Sequence, residues 1–151
     1  MDLKEYEKID IASQMLETAL SLFLEEKDYF SVLQIAGACD EILGKYLKLK
    51  EIDTSLETET AALISIKKNL NGIHSTVKDT RNFLNQFKNA IKHMDDRAET
   101  TVIMDPEFEA ETMLDRAIVN WWRLGKRHSP LMEKFLDLME TKYVSKNLNV
   151  P

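Results

Sequence analysis

Apolar side chains that recur at three- and four-residue steps are the feature that most constrains the fold of this chain. The first such run consists of Ile9, Ala12, Leu16, Ala19, Leu20 and Phe23. It predicts a helix over residues 4–26, because a helix repeats every 3.6 residues whereas a strand repeats every two. Strand-like alternation is absent, and only four glycines and three prolines interrupt 151 residues. The sequence therefore predicts an all-α protein.

Helix start and stop signals divide the rest of the chain. Asp28 is a candidate N-cap for a second helix from Tyr29 to about Lys50. Thr54-Ser55-Leu56-Glu57 has the form of a capping box, and the third helix that it starts is expected to stop at Asn71-Gly72. Three further helices are predicted over about residues 80–94, 106–124 and 130–144.

The last three helices also have recognisable beginnings. Asp79 is expected to cap the first of them, Asp105-Pro106 begins the second, and Ser129-Pro130 begins the third. Six helices with short connectors predict an up-and-down bundle with four core helices and one or two flanking helices. The length of the chain favours a single domain over residues 1–151.

Composition limits the classes of function. The net charge of −6 and the isoelectric point near 5.1 argue against a uniformly basic nucleic-acid binder, but they leave room for a local positive cleft. Cys39 is the only cysteine, so we expect a reduced core residue and a cytoplasmic protein. No secretory signal is recognised, and the longest apolar run, Ala19–Leu24, is too short to span a membrane.

One stretch carries a pattern with chemical content, Lys88-Asn89-Ala90-Ile91-Lys92-His93. On a continuous helix its surroundings form an apolar arc, which we predict to be a core face, made of Phe83, Leu84, Phe87, Ala90, Ile91 and Met94. The polar side chains form two stripes, one with Arg81, Lys88 and Lys92 and the other with Asn82, Gln86, Asn89 and His93. Cations therefore lie on one flank, and amide and imidazole groups on the other.

This stretch resembles the motif of HEPN domains, small helical bundles found in prokaryotic toxins, abortive-infection proteins and RNA-processing enzymes. Their signature is an arginine, a polar residue and a histidine a few residues further on. The run from Ala36 to Lys45, which contains Asp40-Glu41, is similar to the small-residue, paired-acid helix that precedes this motif in some small bacterial members. The chain departs from the pattern at Lys88, where active members carry arginine.

The resemblance implies metal-independent cleavage of RNA. His93 would act as general base or acid on the ribose 2′-hydroxyl, and Lys88 would steady the scissile phosphate. Lysine keeps the positive charge of arginine but lacks its planar two-pronged geometry. The sequence therefore leaves open whether the chain is a weak endoribonuclease or a degenerate member that binds RNA without cutting it.

The resemblance also assigns supporting residues. Asn89 and Lys92 would orient and screen the phosphate, and Asp40 or Glu41 would reach the histidine from the second helix. Positions 88 and 93 lie about 140° apart around one helix, so one copy does not focus both groups on one phosphate. In this family the motif lies at a dimer interface, and we therefore expect a homodimer.

The same resemblance implies a cellular role. It points to prokaryotic defence or stress response, including toxin–antitoxin systems and phage defence, with RNA and a neutralising or other partner protein as the expected partners. Two alternatives stay open: a non-catalytic helical protein–protein interaction module, and a helical adaptor unrelated to the family.

Other candidate sites have less support. The residues His74, His93, His128, Asp79, Asp95 and Asp96 lack metal-ligand spacing, so no metal or cofactor is predicted. Trp121-Trp122 with the basic residues that follow is either a base-stacking surface or, with one tryptophan inside, part of the core. Gly37 and Gly44 flank Asp40 on one helix edge. Since an interior glycine costs about 1 kcal/mol, we expect another backbone to pass close there, and Asp40 to enter an interhelical seam or a dimer contact.

Overall fold

The computed structural model describes residues 2–93 and 100–148, with side chains to residue 144. Over these residues the chain forms seven helices and no strand, which confirms the predicted all-α class. The helices are α1 Lys8–Leu24, α2 Tyr29–Leu49, α3 Ser55–Asn71, α4 Val77–Leu84, α5 Gln86–Ala90, α6 Pro106–Arg123 and α7 Pro130–Leu148. In this part of the chain no helix is both long enough and apolar enough to cross a membrane.

The core lies between α1, α2, α6 and α7. Its fully buried apolar side chains come from all four helices and include Leu16, Leu20, Leu33, Ala36, Leu114, Ile118, Met132 and Phe135. The rings of Phe23 and Phe135 meet edge to face with centroids 5.3 Å apart. This confirms the four-helix core, against which α3, α4 and α5 form a flanking layer.

The capping signals are confirmed where the sequence was most specific. Asp28 and Asp105 each accept a hydrogen bond from the backbone N–H three residues further on. Thr54 and Glu57 form the reciprocal capping box, with Thr54 N donating to Glu57 Oε2 at 2.9 Å. Gly72 ends α3 in the left-handed conformation, with φ of 65°. These residues fix where α2, α3 and α6 begin or end.

The predicted continuous helix through the motif is wrong. The backbone leaves helical geometry at Asn85, with φ of −110° and ψ of 4°, and α4 and α5 meet there. Arg116 of α6 donates from Nη1 to Leu84 O at 3.4 Å and to Asn85 Oδ1 at 3.1 Å. These bonds to α6 hold the break, so there are three flanking helices instead of one or two.

The break overturns part of the predicted core arc, of which Ile91 packs against the core and Leu84 and Phe87 are partly buried. Phe83 is 51% exposed, Ala90 is exposed, and the one buried side chain of α5 is Lys88. Met94 lies outside the described residues. The arc assumed a constant 100° per residue, and the turn at Asn85 rotates α5 so that a lysine faces the interior.

The cap of α4 differs from the prediction as well. Thr76, and not Asp79, is the N-cap: its Oγ1 accepts from Asp79 N at 3.1 Å and donates to the Asp79 carboxylate at 2.7 Å. The helix therefore begins at Val77, three residues before its predicted start near residue 80. Threonine and aspartate are both good N-caps, and Thr76 and Asp79 lie three residues apart. The sequence alone therefore does not decide which of them caps the helix.

The two adjacent tryptophans point to different sides of α6, as expected for neighbouring residues on a helix. Trp121 packs against the core, and its Nε1 donates to Arg127 O at 2.8 Å. Trp122 is 63% exposed. Arg123 donates to Asp53 O and Thr58 Oγ1 and so ties the end of α6 to the start of α3. This confirms that one tryptophan belongs to the core and the other to the surface.

Candidate functional site

A polar groove of about 410 Å³ lies where α2, the start of α3, α4–α5 and α6 meet. Four basic and two acidic side chains line it, together with three asparagines. The lining residues are Asp40, Glu41, Gly44, Lys45, Lys48, Thr54, Leu56, Arg81, Asn85, Lys88, Asn89 and Asn120. Cations outnumber acids in this groove, although the whole chain carries a net charge of −6. The groove is therefore a local positive cleft of the kind that the acidic composition leaves open.

Lys88 lies on the wall between α5 and α2, with its side chain 6% exposed. Its Nζ donates to Glu41 Oε1 at 2.8 Å. Its aliphatic stem crosses Gly37, where a Cβ would lie 2.6 Å from Lys88 Cδ. The expected close approach at the glycines is thus made by a side chain and not by a backbone. At Gly44 a Cβ would meet only the Thr54 methyl group, at an ordinary 3.5 Å.

Glu41 connects the two lysines of the motif. Besides Lys88, its Oε1 lies 3.7 Å from Lys92 Nζ. The hydrogen bond from Lys88, helped by the charges of both lysines, lowers the pKa of Glu41 below its ordinary value. Within the described residues Glu41 therefore reaches Lys88 and Lys92, and it makes no hydrogen bond to His93.

Glu57 bridges a second pair of cations. Its Oε1 lies 3.1 Å from Arg81 Nη2 and 3.6 Å from Lys48 Nζ. The hydrogen bond from the Thr54 backbone N–H is the main cause that lowers the pKa of Glu57. Arg81 Nε is buried and has no hydrogen-bond partner within the described part of the chain. Among the described residues no carboxylate lies within ion-pair distance of Lys45, whose side chain is exposed.

Asp40 lines the groove and lies in the seam between α2 and α6. An interhelical seam was one of the two positions predicted for it, the other being a dimer contact. Asp40 Oδ2 accepts from Arg116 Nη2 at 3.0 Å and its Oδ1 from Asn120 Nδ2 at 2.8 Å. Asn120 Oδ1 in turn accepts from Ser55 N at 2.8 Å, which extends the network to α3. Burial raises the pKa of Asp40, while the charge of Arg116 opposes that rise. Both carboxylate oxygens are engaged, so Asp40 positions the helices around the groove.

The predicted site residues are only partly brought together. Lys88, Asn89 and Asp40 line the groove, and Lys92 adjoins it through Glu41. His93 follows the end of α5 with its imidazole exposed, and it does not line the groove. A single copy therefore presents cations and amides to a ligand in the groove, without the imidazole.

Other chemistries have little support in the described residues. No group of three or more His, Cys, Asp or Glu side chains there is arranged to hold a metal ion, and Asp95 and Asp96 lie outside the described residues. Cys39 is buried in the core, with Sγ 3.4 Å from Ala12 O. Burial raises the pKa of its thiol to about 12, which makes it a poor nucleophile.

Several groove residues did not stand out in the sequence, although their spacing could have revealed them. Lys45 lies four residues after Glu41, and Lys48 three residues after Lys45, so one face of α2 presents all three. Arg116 and Asn120 are likewise four residues apart, within a stretch of α6 whose other inward positions are mostly apolar. Polar residues at core positions indicate a buried network, because an unpaired one would be costly.

Comparisons of the chain with models of known protein families, with curated protein sequences and with solved structures found no match. Inferences about function therefore rest on the chemistry of the groove and on the motif. The ammonium, guanidinium and amide groups that line this cleft are of the kind that binds an oxyanion with several acceptor oxygens. Phosphate is an oxyanion of this kind, and nucleic acids present it in series.

Proposed function

We propose that this chain is a HEPN-like, RNA-directed protein of prokaryotic defence or stress response that acts in the cytoplasm and binds the phosphate backbone of RNA in its polar groove. The observation that carries the proposal is the convergence of Lys45, Lys48, Arg81 and Lys88 on one cleft of an acidic chain. Lysine, arginine and amide side chains supply many of the contacts to nucleic-acid phosphates. The exposed ammonium of Lys45, which has no ion pair among the described residues, is the readiest of these donors.

The arrangement favours binding over cutting. Lys88 is buried and already paired with Glu41, and His93 lies outside the groove. General acid–base catalysis needs the imidazole within hydrogen-bond reach of the ribose hydroxyl. In the proposed homodimer the second copy would supply that imidazole, as the resemblance implies. We propose a degenerate member with weak cleavage or none.

Binding is tested with a fluorescent single-stranded RNA of about 20 nucleotides, followed by anisotropy at several salt concentrations. Lys45→Met should weaken binding several-fold and reduce the slope of log K against log salt by about 0.7, the value for one phosphate contact on a single strand. Lys50→Met is the matched control, since this exposed lysine is the C-cap of α2 and does not line the groove. Equal affinity of both variants and the unmodified chain would contradict the proposal.

Cleavage is tested separately by incubating the purified chain with total RNA in EDTA. We expect little or no cleavage from the unmodified chain. A Lys88→Arg variant that gains cleavage, with the gain lost in Lys88→Arg/His93→Ala, would identify the lysine as the defect. Robust cleavage by the unmodified chain that disappears in His93→Ala would instead make it an active endoribonuclease.

A second candidate function, a protein–protein interaction module, is favoured by the flanking hairpin of α3 and α4. Five apolar side chains there are at least half exposed: Ile66, Leu70, Ile73, Val77 and Phe83. The buried residues of α3 are Ser55 and Thr60, so this helix buries no apolar side chain fully. Exposed apolar patches often mark protein interfaces. A chain that is monomeric at micromolar concentration and binds no RNA, but binds a protein through this hairpin, would favour this function.

A further inference from the structure

The two carboxylates that bridge cations at the groove differ in how firmly they are held. Glu57 accepts hydrogen bonds from the backbone and the hydroxyl of Thr54 as well as contacting its cations. Glu41 has only its lysine contacts among the described residues, and its side chain is 58% exposed. Rotation of Glu41 into water therefore breaks only those contacts, whereas release of Glu57 would dismantle a helix cap.

Lys88 requires an anion beside it. Its side chain is 6% exposed, and a buried ammonium left unpaired is strongly disfavoured. The ammonium of Lys92 approaches the same carboxylate oxygen, so the position of Glu41 Oε1 is a point where two positive charges converge. A phosphate oxygen at that point would make the same contacts with more charge and more acceptor atoms.

We propose that Glu41 is an internal competitor for the phosphate that enters the groove, and that a bound polyanion displaces it from Lys88 and Lys92. The inference rests on the proposed function in that it concerns the same groove, and it specifies which anions bind there. A single phosphate must compete with a tethered carboxylate, whose effective concentration is on the order of millimolar or above. A strand with neighbouring phosphates also gains contacts to Lys45 and the other cations, so the groove selects polyanions over monophosphates.

The test uses calorimetric titration of the full chain with inorganic tripolyphosphate, and anisotropy with the single-stranded RNA. Glu41→Gln should bind tripolyphosphate about tenfold more tightly than the unmodified chain, because a neutral amide no longer competes for Lys88. Glu51→Gln is the matched control: this exposed carboxylate follows α2, does not line the groove and forms no ion pair among the described residues. Equal gains in the two variants would overturn the inference in favour of a simple change in net charge.

Two further variants test whether Glu41 acts through its hydrogen bond with Lys88. Glu41→Asp keeps the charge but shortens the side chain, so it should gain affinity as well, although less than Glu41→Gln; no gain would count against competition. The gain of Glu41→Gln should vanish when Lys88→Met is added, and a gain that survives would place the anion elsewhere. Circular dichroism checks that each variant is folded, and Glu41→Asp serves if Glu41→Gln does not fold.

The outcome separates this inference from the proposed function. If the Glu41 variants bind tripolyphosphate more tightly and neither they nor the unmodified chain binds RNA, the competitor role stands and the RNA proposal fails. If RNA binding depends on Lys45 but substitution of Glu41 changes neither probe, the competitor role alone fails. If no variant binds either probe, both are wrong.

Discussion

The stem of Lys88 lies across Gly37 so closely that a Cβ at position 37 would stand 2.6 Å from Lys88 Cδ. One residue of α2 thus provides the space that one residue of α5 occupies. Lysine is rarely buried, and here the missing side chain at Gly37 lets its aliphatic part pack while its ammonium reaches Glu41. The wall of the groove depends on this contact.

A pair of glycine substitutions tests that dependence. Gly44→Ala should stabilise the chain by about 0.5–1 kcal/mol, because alanine favours the helix and meets Thr54 at an ordinary distance. Gly37→Ala has the same helical gain but must displace a packed stem, at a cost of about 1–3 kcal/mol. The two variants should therefore differ by about 1 kcal/mol or more in their free energies of unfolding, measured by urea titration. Identical values would mean that Lys88 yields without cost.

The buried pair of Asp40 and Arg116 leads to a second prediction. Arg116→Met leaves the Asp40 carboxylate buried with Asn120 as its remaining donor, and should cost about 3–5 kcal/mol of unfolding free energy. Adding Asp40→Leu should recover part of the loss, because it removes the uncompensated group. A double-mutant cycle by chemical denaturation measures the coupling, and a coupling energy below about 0.5 kcal/mol would rule out a structural role for the pair.

Glu57 should give a defined dependence of stability on pH. Its folded pKa lies below the ordinary value of 4.5, so its contribution is fully present above 4.5 and is lost as the pH falls through the lowered pKa. In Glu57→Gln the glutamine side chain can still cap the helix, but it has no carboxyl group that titrates in this pH range. The stability difference between the unmodified chain and Glu57→Gln should therefore be constant near neutral pH and shrink below 4.5, as measured by thermal unfolding. A difference that does not change with pH would contradict the assigned contacts.

The thiol of Cys39 should be inert while the chain is folded. With a pKa of about 12 its thiolate fraction is far below that of an ordinary cysteine. Reaction with a disulfide reagent at pH near 8 should therefore be slower by a factor on the order of 10³ than for an exposed thiol. The reaction should become fast in denaturant. Rapid labelling of the native chain would show that α1 and α2 separate readily at Ala12 and Cys39.

The fold was largely accessible from sequence because its signals are local. Caps such as Asp28, the Thr54–Glu57 box and Gly72 act within a few residues, and the four-helix core follows from apolar spacing. The break at Asn85 was missed because residues 80–94 keep a helical pattern. The contact that holds the break comes from Arg116, 31 residues further along the chain.

The groove was only partly predictable for the same reason. Of the two glycines beside Asp40, Gly37 marks a close contact, made by the side chain of Lys88 instead of a backbone, whereas Gly44 marks none. The helical pattern placed Lys88 on a polar stripe and Phe83 in the core, whereas the structure buries the lysine and exposes the phenylalanine. Whether Lys88 or Phe83 faces inward depends on the turn at Asn85, and the local sequence pattern does not predict that turn.

The grip of Arg116 on Leu84 and Asn85 has a consequence for how the molecule tolerates change. The two hydrogen bonds anchor the junction of α4 and α5 to α6, at the end of α4 opposite to its connection through Gly72. Changes confined to the exposed tip of the hairpin, around Gly72, should therefore leave the ammonium of Lys88 in its place in the groove.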